Sequence, residues 1–316
     1  MAYSFPKNLR SYLCIARFDH WIKQLFIFPG VFFAWALITR TKTSSEITRI
    51  FLAFISTCLI ASANYVINEW LDADSDKFHP EKKNRPIVSK NLKTKYIILE
   101  YVIFSLTGIL ASIYVSHIVL ILELWLLLMG ILYNVRPIRS KELPYIDVLS
   151  ESINNAIRFL IGWFAATSVF LPPVSIVLGY WMGGAFLMAT KRFSEYRAIG
   201  DKTKASLYRK SFKYYDEKSL IISAVFYSLL SVFFCGIFLI KYRIELIIAI
   251  PFLCGLFCLY LNISFKNDSA VQKPEKVWKE KFLIVYLVLF IMLIYVLTSV
   301  NVPSLHNLLE TTLIKA

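Results

Sequence analysis

Cysteine and histidine are scarce in this 316-residue chain, and so are long polar stretches. The five cysteines (Cys14, Cys58, Cys235, Cys254, Cys258) are odd in number and mostly lie in apolar runs. None stands at zinc-ligand spacing, so packing rather than a disulfide framework or a zinc site is expected of them. Four scattered histidines give no transition-metal cluster either. No polar connector is longer than the stretch near 192–217, which excludes a separate soluble domain. The first twenty residues alternate basic and apolar positions without an h-region or small-residue cleavage site, so no cleavable signal is expected.

Apolar residues are abundant: 57% of the chain, with 16% aromatic and a mean hydropathy of +0.59. They are blocked into runs long enough to span lipid. Nine spans are expected, near 22–39, 47–70, 96–115, 117–134, 145–170, 173–191, 218–240, 244–264 and 281–300, in one polytopic domain over 1–316. Cytoplasmic loops fall near 72–95, 135–144, 192–217 and 265–280. Phe5, Leu9, Leu13 and Ala16 form the apolar stripe of an interfacial helix within 1–20.

Net charge is +14, which by itself would suit nucleic acid, but its distribution points to a bilayer. Assigning connectors alternately to two sides puts 28 basic residues on the side of the N-terminus and 6 on the other. This is the positive-inside pattern, with the N-terminus cytoplasmic and the chain integral to the inner (cytoplasmic) membrane.

Polar residues concentrate where spans meet the first three cytoplasmic loops. Asn68, Asp72 and Asp76 recur every four residues, one helical face carrying an amide and two carboxylates. Acids at a helix C-terminus oppose the macrodipole and repel one another, unless a cation joins them. Mg²⁺, which takes one or two carboxylates plus substrate phosphates, suits them. Lys82, Lys83 and Arg85 follow on a proline-stiffened loop; Lys83 and Arg85 are the candidates to reach an anion there, although any one lysine is also a topology marker. The second loop supplies Arg136, Arg139 and Lys141, and Asp147, Glu151 and Asn155 then repeat at i+4. Arg158, about 16 Å along that helix from Asp147, needs a partner or a wet cavity: an ion pair with Glu151 or a substrate contact. Lys191, Arg192 and Glu195 leave the sixth span as the aspartates leave the second, while the later cations of that loop read as lipid-headgroup contacts. Lys23, beside Trp21, reads as an interfacial anchor. Glu123 within the fourth span has no evident partner.

The Asn68-x-x-x-Asp72-x-x-x-Asp76 pattern, the nine spans and the Tyr133…Lys141…Asp147 segment resemble the UbiA superfamily of intramembrane prenyltransferases. The resemblance implies an all-α bundle around a lipid-accessible cavity capped by polar cytoplasmic loops. It implies Asn68, Asp72 and Asp76 as a Mg²⁺ and diphosphate site, with Tyr133, Arg139 and Lys141 near the phosphates. The second acidic motif of ordinary members is missing; Lys191-Arg192-Phe-Ser-Glu195 stands there. With Trp21-Ile-Lys23 and the His79-Pro80-x-x-Lys83 spacing around Arg85, this is similar to the branch of decaprenyl-phosphate phosphoribosyltransferase. The Tyr133-Asn-x-x-Pro-x-Arg139-x-Lys141 loop instead resembles the prenyl-transferring members, so the resemblance fixes the superfamily and leaves the branch open. The implied substrates are lipidic, a prenyl diphosphate or a polyprenyl phosphate, with no nucleic acid. A transporter or lipid-binding protein is the non-enzymatic alternative, since a polar intramembrane cavity serves a carrier equally well.

Overall fold

The structure is a computed structural model and describes residues 9–38, 43–79, 82–89, 92–266, 269–272 and 274–308. Phe5 and Pro80, named above, lie outside these residues. Among the described residues the chain is all helix, without a strand. In order they are α1 (Leu9–Ile15), a 3₁₀ segment (Phe18–Ile27), α2 (Phe28–Leu37), α3 (Ser44–Asp76), α4 (Pro86–Ser89), α5 (Thr94–Ile113), α6 (His117–Asn134), α7 (Ile146–Ala166), α8 (Val174–Ile199), α9 (Lys202–Tyr208), α10 (Glu217–Tyr242), α11 (Ile250–Ser264), α12 (Lys281–Ser299) and α13 (Pro303–Leu308).

Helical segments stand at each of the nine expected positions, and seven are long and apolar enough to cross a membrane. The other two depart for local reasons. In the first, Pro29 starts a fresh α-helix at α2, so the polar half before it winds as a 3₁₀ segment. In α7 the length suffices, but Asp147, Glu151, Asn154, Asn155 and Arg158 interrupt its hydropathy. That stripe has company: α7 packs against α2, α3, α6 and α8 and forms the centre of the bundle.

α2 and α7 approach backbone to backbone. A Cβ added at Gly30 would stand 1.9 Å from the Phe159 carbonyl oxygen, and one at Gly162 2.0 Å from that of Ile27. Glycine at both positions is what permits the contact, as at other intramembrane crossings. Ile27, Val31, Ile157, Phe159 and Trp163 fill the core beside it. Toward the outside the pattern inverts: on α12 only Leu283, Leu297 and Thr298 are buried, while Phe282 is 70% exposed. An apolar face this extensive requires a lipid solvent, and the protein is an integral membrane protein.

At the N-terminus, Tyr12, Ile15 and Ala16 pack against Val66 of α3 and Ile97 of α5. Leu13 is exposed. Of the expected stripe, Ala16 therefore packs against the bundle and Leu13 is open, while Phe5 and the Leu9 side chain lie outside the description.

Candidate active site

Long α3 carries the Asn68–Asp72–Asp76 face to the end of the bundle, where α6 stops at Asn134. Asn68 Nδ2 donates to Asn134 Oδ1, and Lys141 Nζ donates to the same oxygen at 2.8 Å and to Asp72 Oδ1. Arg139 Nη2 donates to Asp72 Oδ1 at 3.1 Å and to the Leu71 carbonyl. The second loop thus folds over the α3 end, its Tyr145 backbone N–H held by the Tyr215 hydroxyl. Burial pushes the Lys141 ammonium down to about 8, with Asp72 opposing it.

Asp76 is 2% exposed and accepts from Arg85 Nη1 at 2.8 Å through Oδ2. Arg85 Nε also lies 3.5 Å from Glu69 Oε1, which Arg17 Nη1 reaches at 3.4 Å. Lys83, a candidate anion ligand together with Arg85, is exposed and makes no side-chain hydrogen bond or ion pair among the described residues. Its neighbour Lys82 turns inward instead, donating to Glu195 Oε1 at 3.2 Å and to the Tyr208 hydroxyl. Burial lowers the Lys82 pKa, but Glu195 and Tyr208 outweigh it and carry it above the ordinary lysine value.

Under the third loop lies a buried ion-pair network. Arg192 is 0% exposed: Nε meets Asp147 Oδ2 at 3.3 Å, Nη1 meets Glu195 Oε2 at 3.1 Å, and Nη2 meets the Tyr133 hydroxyl and Glu151 Oε2. Asp147, also 0% exposed, further accepts from the Tyr215 hydroxyl at 2.7 Å and Ser211 Oγ at 3.2 Å. These two residues, expected at the substrate, are instead fully engaged with each other and their neighbours. Arg209, expected at lipid headgroups, is drawn into the same network, 3.6 Å from Asp147 and donating to Tyr133. Arg158 does not pair with Glu151; it donates to Gln24 Oε1 at 2.6 Å and Asn155 Oδ1 at 3.1 Å. Glu123 accepts from the Thr57 hydroxyl.

Two cavities open at this end. The smaller, about 260 Å³, is lined by Asp72, Arg136, Arg139, Lys141 and Arg209. The larger, about 660 Å³, is lined by Arg17, Lys23, Glu69, Lys82, Arg85 and Lys191, with Leu13 and Phe18 on an apolar wall. Lys23 Nζ contacts His20 Nδ1, lies over the Tyr65 ring and lines this larger cavity. The pairings of Arg17 with Glu69, Lys82 with Glu195 and Arg209 with Asp147 escape a sequence reading because the partners are 52, 113 and 62 residues apart.

Mg²⁺ fits the α3 face by its donor set. Hydrogen bonds to Asp72 fall on Oδ1 and those to Asp76 on Oδ2, while Asn68 uses only its amide nitrogen. One hard oxygen on each of three successive turns therefore has no donor among the described residues. Among the described residues no three His, Cys, Asp or Glu side chains form a ready-made cage there. This suits an ion that draws the rest of its shell from water and phosphate.

The profile of the UbiA prenyltransferase family matches residues 28–291. Decaprenyl-phosphate phosphoribosyltransferase of Mycolicibacterium smegmatis is 29% identical over 224 residues, 68% of this chain and 66% of that protein, just under two thirds of its length. Protoheme IX farnesyltransferase of Alkalihalophilus pseudofirmus is 24% identical over 200 residues, 61% of this chain and 63% of that one. Among solved structures, a UbiA homolog from Archaeoglobus fulgidus bound to GPP and Mg²⁺ superposes with a TM-score of 0.68 at 20% identity, over 92% of this chain and all of the other. On the family match and the shared fold, this chain belongs to the UbiA prenyltransferase family.

Proposed function

We propose that the protein is a Mg²⁺-dependent membrane transferase that cleaves a diphosphate donor and passes its prenyl or phosphoribosyl group to a lipidic or aromatic acceptor. One observation carries this: three oxygens without a donor among the described residues on one helical face, those of Asn68, Asp72 and Asp76, with Arg85, Arg139 and Lys141 around them. Mg²⁺ bound by these oxygens would hold the diphosphate and stabilise the charge that develops as it departs. Arg139, Lys141, Arg85 and Lys82 would exchange their carboxylate contacts for phosphate oxygens, favouring the transition state, where that charge is greatest. Packing of α2, α3, α6 and α7 around the reacting carbon would exclude the water that otherwise captures an allylic or oxocarbenium cation.

The charge asymmetry supports nine crossings of a single domain, the N-terminus and the site on the cytoplasmic side of the inner membrane. A second reading, transfer of phosphoribose from 5-phosphoribosyl diphosphate to a polyprenyl phosphate, is favoured by the larger cavity. Its cations suit a donor with an additional phosphate and an anionic acceptor, and its Leu13–Phe18 wall suits a lipid tail.

Purified protein given prenyl diphosphates, or 5-phosphoribosyl diphosphate with polyprenyl phosphate, should release pyrophosphate only with Mg²⁺. Asp72→Asn and Asp76→Asn should abolish release while the protein stays folded. Turnover retained in either variant would sink the assignment, and transport without turnover would favour a carrier.

A further inference from the structure

We propose that this chain takes its diphosphate with one divalent ion, and that Lys191 binds the anion directly on the side where a second ion would otherwise sit. The inference rests on the diphosphate reading above and concerns the opposite wall of the site, built by α7 and α8.

The two walls differ atom by atom. On α3, Asp72 and Asp76 each keep one carboxylate oxygen without a donor among the described residues. On the α7–α8 wall every carboxylate oxygen except Glu151 Oε1 accepts a hydrogen bond. Asp147 Oδ1 accepts from Tyr215 and Oδ2 from Ser211 and Arg192. Glu151 Oε2 accepts from Tyr133 and Arg192, and its Oε1 lies 3.7 Å from Lys191 Nζ. Glu195 Oε1 accepts from Lys82 and Oε2 from Arg192. Asp147 is buried and borders neither cavity, and Glu195, at the wall of the larger one, is 2% exposed with both oxygens paired, so an incoming ion would have to break buried pairs to be bound here.

Charge points the same way. Three carboxylates on this wall face four cations, Lys82, Lys191, Arg192 and Arg209, and the wall is positive before anything binds. A divalent cation is repelled from such a surface, and a phosphate is attracted to it. Of the four, Lys191 is the open one. Its ammonium donates no hydrogen bond among the described residues, stands at a long 3.7 Å from Glu151, and lines the larger cavity beside Lys23 and Arg17. Three N–H donors on a flexible stem suit a phosphate at that position.

The test counts ions rather than product. Full-length protein in nanodiscs is titrated with Mn²⁺ in the presence of methylenediphosphonate, a diphosphate that cannot be cleaved, and bound Mn²⁺ is counted by its paramagnetic resonance signal. One Mn²⁺ per chain is expected. Lys191→Met should weaken methylenediphosphonate binding about tenfold, one charge-assisted contact, with the ion count still at one. Two Mn²⁺ per chain would overturn the inference and leave the diphosphate site standing. No bound Mn²⁺ would instead overturn the reading of Asp72 and Asp76 as metal ligands, and this inference with it. Unchanged diphosphate affinity in Lys191→Met would refute the part given to that residue.

Discussion

Replacing Arg192 with methionine separates a structural cation from a ligand. Arg192 supplies hydrogen bonds to Asp147, Glu195, Glu151 and Tyr133 from a fully buried position. Removing one partner of a buried pair costs about 3–5 kcal/mol, because the other charge is left without compensation. Here each acid keeps something: Asp147 retains Tyr215 and Ser211, Glu151 retains Tyr133 and Lys191, and Glu195 retains Lys82. The loss therefore belongs at the lower end, about 3 kcal/mol. At roughly 2–4 °C per kcal/mol in larger domains, the melting midpoint should fall by about 6–12 °C. Thermal unfolding in nanodiscs, followed by tryptophan fluorescence, reads this directly. Arg192→Lys should fall between the two, since one ammonium cannot reproduce the guanidinium fork. Adding Glu151→Gln to Arg192→Met should recover part of the loss, and Lys83→Met, at an exposed position, should leave the midpoint unchanged within about 0.5 kcal/mol. If Arg192→Met melts with the native protein but loses diphosphate binding, the residue is an open phosphate ligand and the network account is wrong.

Lys141→Met should weaken Mg²⁺-dependent diphosphate binding about tenfold to a hundredfold, the worth of one hydrogen bond from a charged group, and isothermal titration would show it. A variant that binds normally would mean that Lys141 serves only to anchor Asp72. Gly162→Ala would force a Cβ to within 2.0 Å of the Ile27 carbonyl oxygen, and the α2–α7 contact must open. A loss of about 1–3 kcal/mol is expected, read as a lowered melting midpoint, and an unchanged midpoint would contradict the close crossing.

What the sequence displayed well was local. The i+4 recurrence of Asn68, Asp72 and Asp76 is a property of one helix, so their common face followed from 3.6 residues per turn. Spans were legible because lipid demands a continuous apolar run, and the sixth, expected from 173, begins at Pro173, the N-cap of α8. Partnerships between helices were not legible. Glu151 and Arg158 are two turns apart on α7, which made an ion pair plausible, yet each turned to a different neighbour. Glu151 meets Arg192 across the α7–α8 contact, and Arg158 meets Gln24 from a segment 134 residues earlier. Lys82 and Lys83 are indistinguishable by composition; only the rotation of their short 3₁₀ turn points one toward Glu195 and the other to solvent.

The same charges must hold the helix ends together without ligand and receive an anion with it. Glu69, Asp72, Asp76, Asp147, Glu151 and Glu195 are six carboxylates, and eight cations pair with them: Arg17, Lys82, Arg85, Arg139, Lys141, Lys191, Arg192 and Arg209. Asp19 and Glu142 pair with Arg17 and Arg139 as well, so these eight cations face eight carboxylates, and a metal–diphosphate unit of net negative charge has to take over contacts that the acids now hold. Which cations can exchange partners depends on access. Arg139 and Lys141 border the smaller cavity and Arg17, Lys82, Arg85 and Lys191 the larger, so a phosphate can take over their carboxylate contacts. Arg192 borders neither and has no exposed surface, so its three carboxylate contacts persist through any such exchange. Its permanence gives α7 and α8 a fixed relative position, against which the exchangeable side chains can move.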